Sequence, residues 1–113
     1  SRHVEKWNGL CDEAEMKSLF AKMKTKFVDK GIPVILGEYG AITMRTGLGE
    51  HQEAHNMSRN LYDETVTREA KNHGLVPFYW ETGRVVNRQT GEIKDHYAMD
   101  GILKGAEAGK YPF

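Results

Sequence analysis

Cysteine is almost absent from this chain, with Cys11 the only one in 113 residues. A single thiol excludes an internal disulfide and any cysteine-based metal cluster. It leaves the compartment open, because many secreted proteins also lack disulfides. Net charge is missing as well, since 16 Lys+Arg balance 16 Asp+Glu. A nucleic-acid binder carries a basic excess or a basic stripe, so no nucleic-acid partner is expected. Apolar runs are only a few residues long, far short of the ~20 that span a bilayer, so no membrane span is expected. No basic-then-apolar signal segment opens the sequence, although a mature secreted protein would already have lost one. Proline is scarce, at three residues. No Pro/Ser-rich linker, charge block or low-complexity tract marks an internal boundary, so residues 1–113 read as belonging to one domain. What remains, 39% hydrophobic and 28% charged residues, is an ordinary globular composition.

The apolar spacing then supplies organisation. From Asp12 to Lys30, Met16, Leu19, Phe20, Met23, Phe27 and Val28 fall on one helical face, a stripe expected to be core. Asp12 with Glu15 reads as a capping-box-like start, and Lys22, Lys24, Lys26 and Lys30 suit the negative C-terminal end. Gly31 can supply the left-handed residue that ends the helix. The run Ile32-Pro33-Val34-Ile35-Leu36 fits a strand covered on both faces, with Pro33 at its start, where a missing N–H is tolerable. After a Gly-rich stretch, a second helix is predicted over His51 to Asn72, with Ala54, Met57, Leu61, Tyr62, Val66 and Ala70 facing inward. Gly74 ends it, and Leu75 to Trp80 reads as a second buried strand. A turn around Asn87 to Gly91 precedes a third helix from Asp95 to Ala108, with Ala98, Met99, Ile102, Leu103 and Ala106 on one face.

The two strand segments share a format. Gly31 to Gly40 and Gly74 to Gly83 each begin at a helix-ending glycine, carry an apolar run, and finish in an acidic residue and a glycine. Helix–strand–helix–strand–helix indicates repeated parallel βα units. Two parallel strands cannot cover themselves, and a complete (β/α)8 barrel needs roughly 250 residues. The expected fold is therefore α/β, a part of a larger assembly. Open strand edges and an apolar patch around Ile35, Leu36, Phe78 and Tyr79 should follow, favouring self-association.

In α/β folds the functional end of a parallel strand is its carboxyl end. Glu38 stands there after a purely apolar strand, between Gly37 and Tyr39-Gly40. Trp80 stands at the end of the other strand, a flat surface suited to stacking on a sugar ring. A carboxylate beside an aromatic platform is what a glycosidase requires; the plainer reading is an exposed Glu and a packed Trp. Trp7, before the first helix, is open between sugar contact and simple packing. His51 and His55 have the i, i+4 spacing of two metal ligands, but Gln52 replaces the Glu of zinc-protease motifs, so a helix-start role near the mouth is the better reading and no metal is expected. The glycines at 37, 40, 47 and 49 lack the Gly-Lys-Ser/Thr ending of a phosphate loop.

Ile32 to Ala41, containing Gly37-Glu38-Tyr39-Gly40, resembles the seventh-strand motif of glycoside hydrolase family 5, the bacterial endoglucanase family of retaining (β/α)8 barrels. Phe78-Tyr79-Trp80-Glu81 resembles its eighth strand. Phe27 to Gly31, Ser58 to Tyr62 and Asn87 to Gly91 fall in family order, and the resemblance covers nearly the whole chain. It is closest to the branch containing cellulases, lichenases and xyloglucanases. It implies the C-terminal part of a (β/α)8 TIM barrel, about two parallel strands and three helices. It further implies Glu38 as the nucleophile and Trp80 at the subsite where the bond is cleaved. A substrate hydrogen bond or a solvated loop position falls to Glu81, and a sugar contact from a sixth βα loop to Trp7. The substrate would be a β-1,4-glucan, no cofactor would be needed, and the enzyme would be secreted or at a bacterial cell surface. The family's acid/base Glu follows an Asn, and this chain has no Asn-Glu pair. Two carboxyls about 5–5.5 Å apart are needed for retention, so Glu38 alone cannot complete the reaction. The N-terminal portion of the same barrel is the expected partner. The alternative is a non-catalytic complementing fragment or a sugar-binding α/β module.

Overall fold

A computed structural model of the chain describes residues 9–113, with side chains described from residue 12 onward. Helix α1 spans Gly9–Lys26 and is followed by a 3-10 turn, Val28–Lys30. Strand β1 is Val34–Tyr39; a 3-10 turn, Gly49–His51, leads into α2, Gln52–Asn72. Strand β2 is Leu75–Tyr79, and α3 is His96–Ala108. The two strands pair in parallel, with Val34, Ile35 and Leu36 opposite Leu75, Val76 and Pro77. The result is a portion of a βα array, not a closed barrel.

Local chemistry explains the element ends. Gly31 takes a left-handed φ of 79° and its N–H reaches Val28 O at 2.9 Å, stopping the first helical segment as its position suggests. The helix opens earlier than expected, at Gly9, so Asp12 lies in its first turn, where a negative charge still favours the helix dipole. Gly74 also sits at φ 79°, and a Cβ there would meet Val28 Cγ1 at 2.6 Å. That turn from α2 into β2 therefore accepts only glycine. Helix α3 is capped by Asp95, whose carboxylate accepts the Ala98 N–H at 3.2 Å.

Four expectations about packing need correction. The buried surface of α2 is largely polar: His55, Arg59, Asn60, Asp63, Thr65, Thr67 and Glu69, together with Val66 and Ala70. Ala54, Met57 and Leu61 are exposed on its outer side, because the sheet, α1 and α3 cover the rest of its circumference. In α3 the buried residues are Ala98, Gly101 and Gly105, and Leu103 is exposed. The helices approach so closely that a Cβ on Gly101 would lie 2.5 Å from Asn60 O. Small residues, not large apolar ones, face the partner. Leu19 in α1 and Phe27 just after it are exposed, because the helix meets α2 along one edge through Glu13–Arg68 and Lys17–Glu69 ion pairs. Neither strand is covered on both faces. Leu75 is buried under the helices, while Ile35, Val76 and Phe78 stand exposed on the opposite face. Each strand has a single partner, so among the described residues each keeps an unpaired edge. Of the four residues expected in an apolar patch, Ile35 and Phe78 are exposed, whereas Leu36 and Tyr79 are half-buried on the side of Leu75.

Candidate active site

The strand pairing is irregular at one place, and that place positions the site. Leu36 pairs with Pro77, but Tyr39, three residues on, pairs with Tyr79, only two residues on. Strand β1 therefore carries one extra residue at Gly37-Glu38, a β-bulge. Regular alternation would send residues 34, 36 and 38 to the helix-covered face. The bulge resets it. Tyr39 turns inward and is buried, whereas Glu38 is exposed at the mouth. The strand runs on past the expected Leu36, so Glu38 belongs to the strand rather than to the loop behind it.

Glu38 and Trp80 line one open cleft of about 670 Å³ at the carboxyl ends of the strands. Trp80 is the first residue after β2, 60% exposed, and its N–H donates to Tyr39 O at 2.9 Å. The platform is therefore free to receive a flat ligand rather than packed in the core. Glu81, also on the cleft, is tied down. Its carboxylate accepts N–H bonds from Gly83, Arg84 at 2.8 Å, Val85 at 3.1 Å and Val86 at 3.0 Å. Partial burial pushes this carboxyl up, but the four backbone donors outweigh that and leave it below the usual range. Its visible role is to shape the loop after β2.

The third carboxylate of the cleft, Asp95, is also engaged. Arg59 grips it with Nη1 at 2.9 Å and Nη2 at 3.4 Å, and both side chains are buried. Burial raises the Asp95 carboxyl, while Arg59 and the Ala98 N–H more than reverse that, so it stays ionised. His55 accepts the Met44 N–H on Nε2 at 2.9 Å, and Gln52 donates to Met44 O at 2.8 Å. His55 and Gln52 thus hold Met44 of the Gly-rich loop, while His51 is exposed and makes no side-chain cap bond to α2. Among the described residues no group of three or more His, Cys, Asp or Glu could hold a metal ion. No described helix is long and apolar enough to cross a membrane. Trp7 lies outside the described residues.

Residues absent from the sequence reading complete the cleft. Thr43, Arg45, Thr82 and Arg84 line it from the two loops. Polar residues clustered after strand ends were the available signal. Asp63 could not be found that way. It is 1% exposed, its carboxylate has no hydrogen-bond partner among the described residues, and burial, with Arg59 opposing and Asp95 adding, pushes it up to about 7.

Comparison with known proteins shows the family. The family model for cellulase, glycosyl hydrolase family 5, matches residues 1–84. The chain belongs to that family, and its strands and helices are a portion of the (β/α)8 barrel. It is 40% identical over 83 residues to a xyloglucan-specific endo-β-1,4-glucanase from Bacteroides ovatus, a match covering 70% of this chain and 16% of that one. It is 30% identical over 102 residues to endoglucanase A of Paenibacillus barcinonensis, covering 84% of this chain and 24% of that one. Among solved structures, a family 5 xyloglucan-specific β-1,4-glucanase from a ruminal metagenomic library superposes with TM-score 0.78 at 32% identity. That match covers 89% of this chain and 29% of the other. The chain spans less than a quarter of the length of these two curated relatives.

Proposed function

We propose that these residues form the nucleophile-bearing sector of a retaining endo-β-1,4-glucanase. The observation that carries the reading is the bulge that exposes Glu38 in the same cleft as an unpacked Trp80. In the reaction a Glu38 carboxylate oxygen bonds to the anomeric carbon of the bound sugar. The bond to the leaving oxygen breaks, and that oxygen takes a proton from an acid/base carboxyl. Water then attacks the same carbon, gives a proton to the acid/base group, and releases Glu38. Trp80 stacks on the sugar at the cleavage point, and Glu81 fixes the loop beside it. No metal or organic cofactor enters this chemistry.

The acid/base carboxyl comes from the N-terminal portion of the barrel. Of the cleft's carboxylates, Glu81 is committed to backbone N–H groups and Asp95 to Arg59. The same observation supports the second reading: the chain by itself is a non-catalytic, complementing or sugar-binding piece. Xyloglucan is the β-1,4-glucan to assay first, because two matched relatives are named for it. An enzyme for such a polymer works outside the cell, so a secreted or surface-bound bacterial protein is proposed. The test is labelling of the complete barrel with a 2-fluoro glycoside carrying a good leaving group, followed by peptide mass spectrometry. The adduct is expected on the peptide containing Glu38; label on Glu81 or Glu50 overturns the assignment. Hydrolysis assays with and without the N-terminal portion separate the two readings, and turnover by the isolated chain would contradict both.

A further inference from the structure

Tyr39 follows Glu38 in the chain and borders the same cleft, but its hydroxyl reaches into the buried side against α2. It is 7% exposed, and its hydroxyl oxygen lies 2.7 Å from Thr67 Oγ1 on α2. Thr67 donates its own proton to the carbonyl of Asp63 at 2.7 Å. The proton between the two hydroxyls is therefore supplied by Tyr39. The Tyr39 ring stands edge-on to Tyr79, with centroids 5.3 Å apart and planes at 87°. Its carbonyl holds the Trp80 N–H. One residue thus joins α2, β2 and the aromatic platform directly beside the bulge.

A phenyl ring would fill the same space, so burial alone does not require the hydroxyl, which costs desolvation unless it is bonded. What the hydroxyl adds is a fixed attachment point. We propose that Tyr39 is a positioning residue: its hydrogen bond to Thr67 pins the bulge and so holds the Glu38 carboxylate at the angle needed for attack. The inference rests on Glu38 being the nucleophile. Misplacing a reacting group by about 1 Å can cost roughly a hundredfold in rate, so a small relaxation of the bulge is measurable.

The experiment uses the complete barrel enzyme and reads the rate at which a 2-fluoro glycoside labels Glu38, together with KM and the melting temperature. Tyr39→Phe and Thr67→Val are each expected to slow labelling about tenfold, with KM changing less than about twofold. Thr67→Ser, which keeps the hydroxyl, should label at the wild-type rate. The double variant Tyr39→Phe/Thr67→Val leaves no unpaired hydroxyl, so its melting temperature should recover while its labelling stays slow. Recovery of both together would show that the contact only stabilises the fold and would overturn the proposal. Wild-type labelling rates in both single variants would do the same. A wild-type enzyme that labels elsewhere than Glu38 instead removes the nucleophile reading, and the positioning role with it.

Discussion

Two glutamates close the two parallel strands in nearly the same sequence setting, and the fold treats them in opposite ways. Glu38 is exposed at a bulge in β1 and lines the cleft. Glu81 folds back onto the N–H groups of residues 83 to 86, which hold its carboxylate ionised and in place. A shared format of apolar run, acid and glycine does not fix what the acid does. The extra residue in one strand and the ring of donors after the other decide it. Another carboxyl, Asp63, is buried on α2 without a hydrogen-bond partner among the described residues.

The sharpest way to break the comparison is Glu38→Gln in the complete barrel. Turnover should be almost entirely lost, because an amide is a far poorer nucleophile, while the melting temperature stays put, as for most exposed substitutions. Retained turnover would erase the distinction between the two glutamates. Trp80→Ala comes next. Removing a platform that is mostly exposed should lower kcat/KM strongly, and Trp80→Phe should keep more activity than Ala. Equal losses in both would point to the indole N–H instead of the ring face.

Asp63 gives a pH test. Burial holds its folded-state carboxyl near 7, above the ordinary 3.8 that applies when the chain is unfolded. Folding therefore takes up a proton between these values. Its contribution to stability is fully present below about pH 3.8 and is lost as the pH rises through about 7, at up to ~1.4 kcal/mol per unit. Asp63→Asn should flatten that part of the profile and be more stable than wild type above pH 7. Chemical denaturation across pH 4–8 measures it, and parallel profiles for the two proteins would refute the assignment. The smallest effect belongs to Glu81→Gln. It should cost about 1–2 kcal/mol through weaker bonds to the loop and lower activity only modestly. A loss as large as that of Glu38→Gln would give Glu81 a direct part in the reaction.

The legible part of this fold was the part governed by period and punctuation. Gly31 and Gly74 mark helix ends at positive φ, and the apolar runs at Val34 and Leu75 are parallel strands. The polar underside of α2 was not legible, because a search for apolar stripes cannot see a helix that buries His55, Arg59 and Thr67 in paired contacts. Met57 and Leu61 were placed inside for the same reason. Glycines 101 and 105 read as weak points in a helix, yet they are its contact surface. For the site, Glu38 and Trp80 were visible from strand-end position. The bulge at Gly37-Glu38 was not, since a bulge is a mismatch between two strands and neither sequence carries it alone.

That mismatch makes the placement of Glu38 depend on chain length rather than on side-chain identity at residue 37. Gly37 does not use a positive φ, and a Cβ there meets nothing within 4 Å among the described residues. An alanine at 37 should pass unnoticed by this sector. Loss of the residue altogether would remove the mismatch: Glu38 would stand opposite Phe78, Tyr39 would keep its place opposite Tyr79, and the strands would run in even register with no bulge. A lineage that drops one codon here would keep both residues and lose the bulge that sets Glu38 against the cleft.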